Sequence, residues 1–295
     1  MKKVTVKKVK KANKKMSNET LNKFGYNADL DKYLRKVFAE TRELSKTQFA
    51  EETDLAQCQT LVYDRIPNQK HPKKGTPVDI VWGGTVETGY KYAGEYRTAI
   101  LNFADAITPG GLVLVGGTTQ EENICRCSNL YEALTMGSCM TDYYRYNAKT
   151  HGSVYTDRVI YSADVTVFRD DESYEMIIPK KMDVITCPAP SAFFKNDEAA
   201  LKVYKNRIRN IVNSAILNDA DCLILGAWGC GAFCQDPKLI SKAFVEVLNE
   251  LSGGFKKVVF AFRNTPGVAK RNDRTSNVFI DEFNKNYEWG VNIGV

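Results

Sequence analysis

The chain has 295 residues, 43% hydrophobic and 26% charged, a balance that supports a sizeable core and excludes disorder as the main state. Its formal net charge is +6, from 41 basic and 35 acidic residues, yet residues 1–15 hold eight lysines and no acid. Without that run 33 basic residues stand against 35 acidic ones, a formal −2, so the basic character belongs to the start of the chain and not to its body.

Residues 1–25 are expected to be a solvated, disordered basic tail. It can attach weakly to nucleic acid or another acidic surface through phosphate contacts. No aromatic residue interleaves the lysines to stack bases, so nucleic acid is not the expected partner of the body. The lysines precede no apolar h-region, no secretory signal is expected, and no apolar run reaches the roughly 18 residues that cross a bilayer. The expected location is therefore the cytoplasm, with no membrane partner. The eight cysteines do not form a disulfide framework in so long a chain. Cys125-Arg126-Cys127 lacks metal-site spacing and the two histidines have no partner at such spacing; neither a metal nor a cofactor is expected.

Residues 26–76 are predicted to be a helical accessory region, helix-like from about 30 to 59 and then a polar linker with Pro67 and Pro72. From residue 77 strand-like and helix-like blocks alternate. Strands are predicted at 78–82, 98–103, 154–168, 182–187, 222–227 and 257–262 from their β-branched and apolar content. One helix is predicted after the glycine-rich segment 109–117, with apolar positions 124, 127, 130, 131 and 134. Further helices are predicted over 197–217 and from Asp236-Pro237, an N-cap followed by proline at N1. This alternation argues for an α/β sheet covered on both faces.

In such sheets ligands bind beyond the carboxyl ends of strands, where two glycine-rich loops are predicted to lie. One runs from Pro109 through Gly110 and Gly111 to Gly117 and leads into Gln120-Glu121-Glu122. The other is Gly229-Cys230-Gly231-Ala232-Phe233. Glycine lets backbone N–H groups close on an anion such as a diphosphate, though two tight turns would look the same. Neither loop matches a P-loop or a dinucleotide fingerprint. Glu121 and Glu122 begin a helix about 100° apart around its axis, so only one is expected to face a given point of a pocket. Acids in a first turn are also stabilising on dipole grounds alone.

Together, NFADAITPGGLVLVGGTTQEENICRCSNLY (102–131) and LILGAWGCGAFCQDP (223–237) resemble the microbial-type poly(ADP-ribose) glycohydrolases, macrodomain-fold enzymes whose signature is a glycine triplet, a spacer and Gln-Glu-Glu. The resemblance implies a three-layer α/β/α fold with a mixed, mostly parallel sheet, an N-terminal helical extension and a catalytic domain over 77–295. It implies ADP-ribose, or poly(ADP-ribose) on modified proteins, as partner. It further implies that Glu122 is the catalytic acid, that Glu121 holds the distal ribose hydroxyls, and that Gln120 supports the loop carrying Gly110 and Gly111. Asn102 would bond the distal ribose, Gly229, Cys230, Gly231 and Ala232 would wrap the diphosphate, and Phe233 would pack on the distal ribose. Thr85 to Thr88 mark a position for adenine. The chain has Leu112 at the third triplet position and Val115 where the family has asparagine. A leucine does not easily adopt positive φ, so the loop is expected to take a different path. A hydrolase of mono-ADP-ribosyl or O-acetyl-ADP-ribose substrates and a binding-only reader are the alternatives.

Overall fold

Runs rich in β-branched and apolar residues assemble into one sheet. The computed structural model describes residues 28–72, 74–150, 152–191, 193–263 and 269–294; the basic tail expected over 1–25 lies outside them. The strands are β1 (Thr60–Tyr63), β2 (Val78–Trp82), β3 (Thr98–Phe103), β4 (Val159–Arg169), β5 (Met176–Cys187), β6 (Cys222–Leu225), β7 (Lys257–Phe262) and β8 (Val291–Ile293). Their order is β1-β4-β5-β3-β6-β7-β2-β8. Strand β4 is antiparallel to both its neighbours and the remaining pairs are parallel. The sheet is thus mixed and mostly parallel.

Helices cover both faces. On one lie α1 (Ala28–Lys46), α2 (Ala50–Cys58), α3 (Thr85–Tyr92), α4 (Gln120–Cys127) and α5 (Leu130–Leu134); on the other lie α6 (Asp197–Leu217), α7 (Pro237–Leu251) and α8 (Ala269–Asn286). The period-two alternation of a strand divides the core between them. Leu223, Leu225 and Phe260 pack with Ile208, Phe244 and Phe279. Ile100, Ile224 and Val259 pack with Phe38, Ile124 and Leu134. Each such fully buried apolar side chain contributes roughly 1.5–3 kcal/mol. The Asp236 side chain accepts from the Lys238 N–H and Pro237 opens α7, as the capping pattern predicts.

Two local expectations are corrected. The single helix predicted after Gln120 is broken, because Ser128 is extended (φ −148°, ψ 174°) and bridges Val167 of β4. Asn129 locks the break, with its Oδ1 accepting the Thr166 N–H at 2.9 Å. Within 26–76, the predicted helical region also supplies β1, whose Thr-Leu-Val-Tyr run pairs with Val159–Ser162 at the sheet edge. No helix among the described residues is long and apolar enough to cross a membrane.

Candidate active site

Strands β3, β6, β7 and β2 are adjacent and parallel, so their carboxyl ends emerge side by side at one end of the sheet. The first glycine-rich loop follows β3 and the second follows β6. Neighbouring strands are about 4.8 Å apart, which brings together two segments a hundred residues apart in sequence.

Helix α4 anchors the first loop. Pairing between β3 and β6 stops at Ile100. Beyond it the Gln120 amide bonds the strand, its Nε2 donating to the Leu101 carbonyl (2.7 Å) and its Oε1 accepting the Phe103 N–H (2.8 Å). Gln120 therefore supplies the bonds a neighbouring strand would make. Glu121 is buried; one carboxylate oxygen accepts the Asp105 N–H at 2.7 Å and the other accepts from Asn102 Nδ2 at 3.3 Å. Burial pushes the Glu121 carboxyl well above the usual carboxylate range, against the pull of those two donors. Glu122, also buried, accepts the Leu112 N–H at 2.8 Å through Oε1 and the Thr119 hydroxyl through Oε2.

Both carboxylates converge on Gly111. A Cβ there would lie 2.6 Å from Glu122 Oε1 and 3.0 Å from Glu121 Oε2, and its φ is +57°. The expectation that only one glutamate faces a given point is thereby corrected: the side chains bend toward the loop from adjacent positions of the first turn. Leu112 avoids the positive φ that a leucine does not easily adopt. Its φ is −95°, ordinary for any residue, because Gly110 and Gly111 take the positive φ values. Its side chain is 63% exposed and lines the cleft beside Glu122.

The second loop is built differently. Gly229 takes φ +80°, and a Cβ there would come within 2.7 Å of the Ala189 Cβ. The turn is closed by the Gln235 N–H on the Gly229 carbonyl (3.0 Å) and by the Cys234 N–H on the Gly231 carbonyl (3.0 Å). Gln235 Nε2 donates to the Phe233 carbonyl (2.8 Å), and the Trp228 indole donates to Cys187 O (2.9 Å) beneath. The N–H groups of Gly231, Ala232 and Phe233 have no acceptor among the described residues.

The two loops face one cleft of about 390 Å³, lined by Gly111, Leu112, Gln120, Glu121, Glu122, Gly229 to Phe233 and Arg263. A second chamber of about 680 Å³ adjoins it, sharing Phe103, Thr119, Gln120, Ala261 and Arg263 and adding Gly83, Thr85 and Asp171. Two predicted residues lie behind the wall. Gly110 is buried, with Tyr131 against it. Asn102 is fully buried, its Nδ2 shared between Glu121 and Thr186 Oγ1, so it contacts Glu121 and does not line the cleft. Sequence reasoning passed over Asp105, Thr119, Thr186 and Arg263. Thr119 alone carried a signal, as the residue before a predicted helix start.

Residues 29–170 match the family model described as "Microbial-type PARG, catalytic domain". Over this segment, just under half of the chain, the protein is similar to the catalytic domain of the microbial-type PARG family. Among solved structures, the poly(ADP-ribose) glycohydrolase of Thermomonospora curvata is 27% identical with a TM-score of 0.74, over 83% of this chain and 99% of that one. The same enzyme bound to the inhibitor ADP-HPD gives 28% and 0.72, over 83% and 98%. The Deinococcus radiodurans enzyme in complex with ADP-ribose gives 29% and 0.67, over 79% and 97%. No curated protein sequence matches the chain significantly. The PARG fold of these neighbours is the α/β/α arrangement described above.

Proposed function

We propose that this protein is an ADP-ribosyl glycohydrolase that cleaves ribose–ribose O-glycosidic bonds of poly(ADP-ribose) and releases ADP-ribose. The observation that carries this reading is the single cleft shared by the paired glutamates of α4 and the unbonded amides of the second loop. The Gly231, Ala232 and Phe233 amides receive the diphosphate, Phe233 packs on the distal ribose, and Glu121 accepts from its hydroxyls. The adenosine end extends past Phe103 into the second chamber, beside Thr85 and Arg263.

Glu122 serves as the acid because its partners tolerate a proton. A Thr119 hydroxyl can accept as readily as it donates, so Glu122 Oε2 keeps its bond in either protonation state. Both partners of Glu121 are obligate N–H donors, which suit a carboxylate that only accepts. Protonated Glu122 gives its proton to the glycosidic oxygen as the anomeric C–O bond breaks. The resulting oxocarbenium-like centre takes a water, whose proton returns to Glu122. Leu112 favours a second reading, hydrolysis of mono-ADP-ribosyl or O-acetyl-ADP-ribose substrates, since it places an apolar side chain beside the acid. Chromatography of free ADP-ribose from polymer, mono-ADP-ribosylated protein and O-acetyl-ADP-ribose decides. Release from polymer is expected; release only from the other two would give the second reading, and none from any would leave a binding module.

A further inference from the structure

We infer that Arg126 is a positioning residue that holds the loop on which Glu122 rests, an inference that stands on the glycohydrolase reading of the cleft. Arg126 follows Glu122 by four residues, so the two share one face of α4. The loop is bonded to both. The Leu112 N–H donates to Glu122 Oε1 (2.8 Å), the Gly117 N–H donates to the Leu112 carbonyl (2.9 Å), and Arg126 Nη1 donates to the Gly117 carbonyl (2.8 Å). The chain of bonds runs from the carboxylate through two loop residues to the guanidinium.

Arg126 is itself fixed. It is 1% exposed, its Nε donates to the Tyr174 hydroxyl (3.2 Å), and its guanidinium lies over that ring at 5.4 Å from the centroid. Tyr174 in turn donates to Asn123 Oδ1 at 2.6 Å. Among the described residues no carboxylate stands within ion-pair distance of Arg126. A buried cation without a counter-ion is expensive, and an apolar side chain of similar length would fill the space at lower cost. The guanidinium does what such a side chain cannot: it reaches the loop carbonyl and the tyrosine together in fixed planar geometry.

The test uses full-length Arg126→Lys, which keeps the charge but not the fork, and Tyr174→Phe, which removes only the support. A displacement of the order of 1 Å at a catalytic group costs about a hundredfold, so Arg126→Lys should lower kcat on polymer by about ten- to a hundredfold. KM and the ADP-ribose Kd should stay within about twofold, since the second loop is untouched. Hydrogen exchange should quicken over 107–119 and stay unchanged over 237–251. Tyr174→Phe should follow the same pattern with about a two- to tenfold loss, the worth of one hydrogen bond; it decides alone if Arg126→Lys does not fold. Wild-type kcat with unaltered loop exchange would overturn the inference, as would a parallel loss of kcat and ADP-ribose affinity. If the wild-type protein releases no ADP-ribose, the functional reading fails, and exchange over 107–119 still decides whether Arg126 holds the loop.

Discussion

The two glycine-rich loops leave adjacent parallel strands and border one cleft, but their backbones are spent differently. In the first, the N–H groups of Asp105, Ile107, Thr108, Gly111, Leu112, Val113 and Gly117 have acceptors within the loop or on α4, and those of Gly110, Thr118 and Thr119 have none among the described residues. In the second, three consecutive N–H groups, at Gly231, Ala232 and Phe233, have none among the described residues. The glycines differ likewise. Gly111 is required by a positive φ and by two carboxylate oxygens within 3.0 Å of a Cβ, whereas around Gly231 a Cβ meets nothing within 4 Å. The closed loop presents acids at fixed positions, and the open one keeps donors for an anionic ligand.

Substitutions at matched positions break or sharpen this contrast. The largest effect is expected for Gly231→Glu, which fits sterically but sets a carboxylate against the diphosphate. Like charges across an interface cost several kcal/mol, so calorimetry should show ADP-ribose affinity reduced at least about a hundredfold with an unchanged melting temperature. A stable variant that binds normally would remove the diphosphate from this loop. Gly111→Ala should act oppositely, lowering turnover by about ten- to a hundredfold through displaced carboxylates and stability by roughly 1–2 kcal/mol through left-handed backbone strain. Equal stability for Gly111→Ala and Gly231→Ala would erase the difference between the loops. Phe233→Ala should weaken ADP-ribose binding about tenfold, the worth of a partly buried aromatic contact, with kcat preserved; a selective loss of kcat would place Phe233 at the reaction centre instead.

The smallest effect concerns pH. The folded-state pKa of Glu121 is raised by burial above its ordinary 4.5, so its contribution to stability is complete below about pH 4.5 and declines as pH rises through the folded value. Glu121→Gln should therefore gain in melting temperature relative to wild type between pH 4 and pH 7. A difference that does not vary with pH would contradict the burial of an ionising carboxyl there.

Much of the fold was legible because its signals are local. The apolar runs that became β3, β6 and β7, the stripe of α6 and the Asp-Pro start of α7 each announce themselves within a few residues. Strand β8 and the β1 edge strand escaped notice, being three and four residues long. In the site, Gln120, Glu121 and Glu122 stood out as a motif, while the convergence of both glutamates depended on the loop above them. Asn102 was visible as the end of a strand, but its burial behind Glu121 follows from Thr186 on a neighbouring strand. Asp105 and Arg263 gave no sign, because their roles come from bonds to distant segments. Leu112 keeps an ordinary negative φ, since Gly110 and Gly111 take the positive φ values before it, which no sequence signal places.

The central claim is that the closed loop holds a proton donor and the open loop a diphosphate. Single-turnover release of ADP-ribose from poly(ADP-ribose), followed across pH for wild type, Glu122→Gln and Glu121→Gln, tests it most directly. General acid–base catalysis is worth roughly 10²- to 10⁴-fold, so Glu122→Gln should lose about that much and with it the loss of rate toward high pH that marks a required proton. Its ADP-ribose affinity should hold, and Glu121→Gln should be slower while keeping that limb. Wild-type rates in Glu122→Gln, or a limb that disappears only in Glu121→Gln, would contradict the assignment of Glu122 as the acid.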